Sequence, residues 1–162
     1  MQISGAKVFT GSVVSLCSAP RSFLPMRNFA ELELEAGVGV VGDRYAKRIG
    51  FYSDRHHDGR QVTLFESETL QAIERDYGIA LAATDHRRNI TTEGVPLNHL
   101  VGRRFTVGEA LLEGVMLSVP CRHIEQITGK EIFNAMLHRS GLMARIVRGG
   151  RIRIGDPIQP ER

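Results

Sequence analysis

The chain has 162 residues, 42% hydrophobic and 24% charged, with a net charge of +3 and two cysteines, Cys17 and Cys121. That is the size and balance of one ordinary globular domain, here residues 1–162; it argues against a disordered chain and a disulfide scaffold, and excludes a cysteine-only zinc site. Its eighteen arginines against three lysines are scattered, which argues against nucleic acid as a partner; planar guanidinium forks suit a small anion, with codon composition as the bland alternative.

The N-terminus has no basic stretch leading into an apolar run, and no run of about eighteen apolar residues follows, so a cytoplasmic protein that does not span a membrane is expected. Strand patterns dominate. Residues Ala6 to Leu16 are rich in valine and small residues. Phe29 to Ala36 alternates Ala30, Leu32, Leu34 and Ala36 against three glutamates, a strand with one wet face. Between them Pro20 and Pro25 mark a loop, and Gly37 to Arg60 is a long irregular stretch, a length usually functional or mobile. Because GVGVVGD is not followed by a helical pattern, a glycine-rich phosphate loop and a dinucleotide fold are not expected.

Gln61 to Phe65 reads as a short buried strand, and Ser67 to Tyr77 as a helix with Leu70, Ile73 and Tyr77 on one stripe and Gly78 as its stop. The HRRNITTEG segment enters another strand, a helical turn lies near Pro96 to Leu100, and strands Arg103 to Val107 and Glu109 to Val119 pair around Gly108. Two helical pieces follow, one holding Ile124 and Ile127 and one over Lys130 to His138. The last elements are a strand from Leu142 to Arg148, a Gly149-Gly150 turn and a strand from Arg151 to Ile154. More strands than helices, joined by short turns, predict a mainly β fold: a β-barrel or curved sheet with a few helices packed at its ends.

Cys121 follows Pro120 where the long strand gives way to the opening turn of a helix, with Arg122 and His123 next. Free backbone amides and the helix dipole there favour a thiolate, which could react, bind a soft metal, or simply pack as a small hydrophobe. Cys17 lies inside an apolar strand and reads as core. With a two-residue turn in the closing hairpin, Val147 faces Ile152 and Arg145 faces Ile154, placing Arg145 on the core face, where it needs a carboxylate or an anion as partner. His56, His57 and Asp58 are close in sequence, but adjacent histidines point in different directions, which argues against metal ligation by this trio. Asp43 and Arg44 pair with each other or with a ligand, or Gly42-Asp43 simply makes a turn. Arg87, Arg88 and Asn89 combine two guanidinium forks with an amide, either as an anion clamp or as a charged strand entrance.

Taken in order, GVVGDRYA, FYSDRHHDGRQVTLFESETL, HRRNITTEGVPLNHLVGRRFTVGEALLEG, the VPC element and ARIVRGGRIRIGDPI resemble the MOSC domain, over about Gly37 to Ile158. The resemblance implies a β-barrel that binds molybdenum cofactor (molybdopterin), with Cys121 as the metal ligand. It further implies that Arg88 and Asn89 touch the cofactor, that Arg60, Gln61 and Thr63 come next, and that Asp43, Arg44 and Arg145 support the site. Two functions follow: a molybdenum-dependent reductase of N-hydroxylated small molecules fed by a redox partner, or a sulfur-carrier or cofactor-delivery module that uses a Cys121 persulfide and a cysteine desulfurase. Many relatives read Cys-x-Pro-Cys where this chain keeps only the second cysteine, so a relay between two neighbouring thiols is disfavoured while ligation by a single thiolate is unaffected.

Overall fold

The computed structural model of the protein describes residues 8–50, 60–120 and 122–162. In chain order the elements are strands β1 (Gly11–Ser18), β2 (Arg27–Phe29), β3 (Glu31–Glu35), β4 (Gly39–Val40) and β5 (Val62–Glu66), then helix α1 (Ser67–Tyr77). There follow β6 (Ile90–Glu93), a 3-10 turn at Leu97–His99, β7 (Arg104–Val107), β8 (Ala110–Leu117), helix α2 (Arg122–Thr128), β9 (Leu142–Arg148), β10 (Gly150–Arg153) and β11 (Pro157–Pro160). No helix among the described residues is long and apolar enough to cross a membrane.

Seven strands close on themselves in the order β11-β7-β8-β9-β5-β6-β1, and the ring is sealed where β11 pairs with β1 at Gly11↔Ile158. Closure removes the open edges that a flat sheet would present. Neighbouring strands run antiparallel except β5 and β6, whose parallel pairing requires the crossover that α1 supplies. β2 extends the sheet beyond β1, while β10, β3 and β4 form a separate three-stranded sheet. Leu32 and Leu34 of β3 and Ile152 of β10 join Leu16, Leu64, Ile90, Phe105, Leu112 and Leu142 in one buried cluster, so the small sheet packs on the barrel core.

Outside the barrel, Phe65, Ile73, Ile124, Ile132 and Met136 form a second apolar cluster that holds α1 and α2. The helix α1 has the bounds that its apolar stripe predicts, and Gly78 ends it in the left-handed conformation with its amide on the Glu74 carbonyl. Tyr77 departs from that stripe: it is exposed, under the Arg139 guanidinium.

Three expectations need correction. The strands β9 and β10 do not form a hairpin; β10 pairs with β3, because the Gly149-Gly150 step lies so close to the Leu34 carbonyl that a Cβ at Gly149 would collide with it. On β9 the core side chains are therefore Leu142, Ala144 and Ile146. Arg145 points outward, with its Nε 3.1 Å from Glu113 Oε1, so the structural carboxylate is its partner. Residues 133–138 form successive turns rather than a helix. The side chains of Arg139 and Ser140 bond to the carbonyls of Ala135 and Met136, which amides would occupy in a continuing helix. Finally, β11, bounded by two prolines, is the last strand.

Glu66 sits where β5 turns into α1, and burial, with Glu68 adding, pushes its carboxyl up to about 7 from 4.5. Below pH 4.5 both the folded and unfolded states hold the proton and no cost arises. Between pH 4.5 and 7 only the folded state keeps it, so stability falls as pH rises, and above 7 the full cost of a buried carboxylate, on the order of 1–3 kcal/mol, is present. Glu66→Gln should therefore unfold at a higher temperature than the wild type at pH 8 and at nearly the same temperature at pH 4.5. Equal gains at both pH values would assign the effect to helix capping instead.

Candidate functional site

A cavity of about 310 Å³ opens on the outer face of the barrel, within the range of small-ligand sites. Its base is formed by Thr63 of β5 and Met143 of β9, paired across the two strands. These are the outward positions of strands whose neighbours Val62, Leu64, Leu142 and Ala144 fill the core. Arg44 and Tyr45 come from the loop after β4, Arg87 and Arg88 from the connector before β6, and Arg60 from the lead into β5. Ser118, Val119, His123 and Ile124 come from the connection between β8 and α2. Four arginines thus converge on one small space.

Two of them are buried. Arg87 is 3% exposed and Arg44 5% exposed. Arg87 donates from Nη1 to the Leu24 carbonyl at 2.6 Å. Its Nε and Nη2 have no hydrogen-bond partner, and neither does Arg44 Nε. Arg44 otherwise donates to Asp43 Oδ1 at 3.1 Å and to Met26 Sδ at 3.4 Å, and lies over the Tyr45 ring. Burial and the neighbouring Arg44 lower the pKa of Arg87 to about 10, so Arg87 remains a cation at neutral pH. Buried donors left open on a like-charged pair are costly unless an acceptor completes them. A bound anion is the group that satisfies both requirements. The same positive field, after burial, lowers His123 to about 4 and keeps it neutral at pH 7.

The arginines are held by a polar framework behind the cavity. Arg87 has φ +62, a left-handed backbone unusual for a residue with a side chain. His86, fully buried and stacked on Phe65, braces this kink. The Arg88 amide donates to His86 Nδ1, which puts the ring proton on Nε2 to donate to Thr91 Oγ1, both at 2.8 Å. Burial holds His86 well below the ordinary histidine range, so the brace stays neutral. Cys17 supplies the other side. Its thiol donates to the Arg88 carbonyl at 2.9 Å, its amide to the Asn89 carbonyl at 2.8 Å, and its own carbonyl accepts from Asn89 Nδ2 at 3.2 Å. Burial pushes this thiol up to about 12, so Cys17 is a structural core residue.

The predicted site residues therefore divide. Arg44, Arg60, Thr63 and Arg88 line the cavity. Asn89, Gln61 and Asp43 brace it from behind. Asn89 Oδ1 accepts from the Thr63 amide at 3.1 Å, and Gln61 Oε1 accepts from the Ile146 amide at 2.8 Å. Asp43, 2% exposed, accepts from the amides of Ala19 and Tyr45 as well as from Arg44. Arg145 is engaged with Glu113 outside the cavity lining. Cys121, His56, His57 and Asp58 lie outside the described residues. Tyr45, Ser118, His123 and Met143 line the cavity without having been singled out from sequence. For His123 the signal was present, in its place beside the VPC element. For Met143 there was none, since an outward strand position does not reveal whether loops fold over it.

The structure thus defines a closed β-barrel that carries an arginine-lined cavity on its outer face. The profile of the MOSC domain matches residues 52–159, and the chain belongs to the MOSC domain family. Among solved structures, the YuaD protein of Bacillus subtilis shares the fold with a TM-score of 0.80 at 20% identity, over 96% of this chain and 99% of that one. The YiiM protein of Geobacillus stearothermophilus gives 0.69 at 18% identity, over 94% of this chain and 75% of its own. YiiM of Escherichia coli gives 0.63 at 16% identity, over 96% and 70%. No curated protein matches this chain.

Two substitutions separate ligand contact from framework. With inorganic phosphate at tenfold excess over its Kd and low ionic strength, the wild type should gain about 1.4 kcal/mol of stability, read as a rise in melting temperature, while Arg87→Met should gain almost none; an equal gain in both removes the anion site. Asn89→Ala should cost about 2–3 kcal/mol in urea unfolding by stranding the Thr63 amide and the Cys17 carbonyl. A loss under 0.5 kcal/mol would show that water replaces its bonds.

Proposed function

We propose that this MOSC domain protein binds molybdenum cofactor in the arginine cavity and is a molybdenum-dependent reductase of N-hydroxylated small molecules, acting in the cytoplasm. The observation that carries this reading is the buried Arg44–Arg87 pair with open donors. These donors, with Arg60 and Arg88, fit a terminal phosphate and the polar edge of a pterin, both rich in acceptors. The cavity is also walled by Val119 and His123, which flank position 121 in the chain. In this reading Cys121, which precedes Arg122 in the chain, is the protein ligand to the metal.

When bound, the cofactor would supply the two-electron redox chemistry that reduction of an N–O bond needs. The net conversion is N–OH to N–H with two electrons and two protons taken up and one water released. The electrons come from a separate redox partner. The chain itself has three tasks: the arginines hold the anionic part of the cofactor, the His86 and Asn89 framework keeps them from separating under mutual repulsion, and Met143 and Ile124 exclude water from the cavity wall.

The deciding measurement is elemental. Protein purified from cells that make the cofactor should contain about one molybdenum and one pterin per chain, and Cys121→Ser should lose most of the molybdenum. The wild type should also oxidise a dithionite-reduced dye in the presence of an N-hydroxylated substrate. A Cys121 persulfide found by mass spectrometry, with no molybdenum, would replace the reductase with the sulfur-carrier reading.

A further inference from the structure

Ser118 follows the last residue of β8 and stands in the connection to α2. Two backbone constraints fix it there. Its amide donates to the Gly141 carbonyl at 2.8 Å. Gly141 in turn, at φ +97, passes so close to the Leu64 carbonyl of β5 that a Cβ would collide with it. One residue earlier, the Ser140 carbonyl accepts from Arg88 Nε at 3.1 Å. Residues 140 and 141 thus hold an arginine and a serine of the cavity wall with one short stretch of backbone.

Ser118 is 8% exposed and lines the cavity. Its hydroxyl makes no hydrogen bond to another described residue. A buried hydroxyl without a partner is costly, and a ligand in the cavity would complete it. Its chemistry also differs from that of the groups around it. The four guanidinium groups of the lining can donate but cannot accept. The Thr63 hydroxyl is engaged within the framework, donating to Asn89 Oδ1 at 3.1 Å and accepting from the Asn89 amide at 3.2 Å. Tyr45 carries its hydroxyl on a half-buried ring, where water competes for it. Ser118 Oγ therefore offers a ligand an acceptor in a buried part of a wall rich in donors.

We propose that Ser118 is a specificity-determining residue: its Oγ accepts the hydrogen of the substrate's N–OH group, so the cavity distinguishes an N–OH compound from one in which that hydrogen is replaced. This assignment rests on the reductase reading for the identity of the N–OH group. Because the serine is fixed through its own amide, the acceptor is in place before the substrate arrives and little order need be created on binding. The same bond holds the backbone whatever the side chain, so the hydroxyl can be removed without releasing the end of β8.

Benzamidoxime and its O-methyl ether form a matched pair, because a methyl group replaces the N–OH hydrogen and the rest of the compound is kept. Titration calorimetry on the oxidised protein, purified from cells that make molybdenum cofactor and given no electron donor, reads binding without turnover. Ser118→Ala should raise Kd for benzamidoxime about 3- to 10-fold and should not raise it for the ether, with molybdenum content and melting temperature at wild-type values. An unchanged Kd for benzamidoxime, an equal rise for both compounds, or no binding of either by the wild type would overturn the assignment. Weaker benzamidoxime binding in Tyr45→Phe but not in Ser118→Ala would also overturn it and move the acceptor role to Tyr45. The reductase reading fails separately. If the expected binding pattern is found but benzamidoxime is not reduced by the wild type with a dithionite-reduced dye, the serine assignment stands and the reductase is removed. Reduction by Ser118→Ala at the wild-type KM keeps the reductase and removes the assignment.

Discussion

Two guanidinium groups buried side by side, Arg44 and Arg87, with one carboxylate between three loops to balance them, are the constraint around which the cavity is organised. A buried cation without full hydrogen bonding is among the more costly features a fold can hold. The protein reduces that cost with backbone and soft acceptors: Leu24 and Arg87 carbonyls, the Met26 sulfur, the Tyr45 ring and Asp43. Each acceptor belongs to a loop, so satisfying the arginines also fixes the loops. What the framework leaves open are three buried guanidinium nitrogens, Nε of Arg44 and Nε and Nη2 of Arg87, on two residues that line the cavity. Apolar side chains of similar size would pack there at less cost, and the acceptor that would offset that cost is the anionic part of the proposed ligand.

A closed barrel is suited to carry such a site. Its interior is filled by Leu16, Leu64, Ile90, Phe105 and Leu112, all fully buried, so the stability of the core does not depend on the charges outside it. The outward face of β5 and β9 then serves as a rigid floor, and pleating places Thr63 and Met143 side by side on it. Rigidity has a local complement in the left-handed Arg87, which turns the connector so that two consecutive arginines both reach the cavity. His86 and Cys17 hold that turn as neutral groups, which keeps the brace from changing with pH while the charges it supports remain constant.

Much of this was legible from residue patterns, and the failures have physical causes. The stripe of Leu70 and Ile73 with a terminal glycine determined α1, and the strict alternation around Leu32 and Leu34 determined β3. The parity of β9 was misread because a glycine pair suggests a two-residue hairpin, whereas here the close approach of Gly149 to the Leu34 carbonyl sends the chain into another sheet. With the wrong parity, Arg145 moved from the surface to the core. In the site, residue type identified the arginines but not the division of labour among their neighbours. Asn89, Gln61 and Asp43 carry the same donors and acceptors whether they face a ligand or an adjacent backbone, and only the positions of the Thr63, Ile146 and Ala19 amides show that they face backbone.

The cavity also joins two parts of the chain with different standing. Arg60, Thr63, Arg87, Arg88, His123 and Met143 fall within residues 52–159, the segment that the family profile matches. Arg44 and Tyr45 precede it. The family segment thus supplies the barrel floor and part of the positive charge, while the preceding residues supply the other buried arginine of the pair. Because Arg44 donates to the Arg87 carbonyl and Met26 sulfur, the two parts are coupled through one guanidinium. The two buried arginines of the cavity thus come from separate stretches of sequence that meet where Arg44 donates to the Arg87 carbonyl.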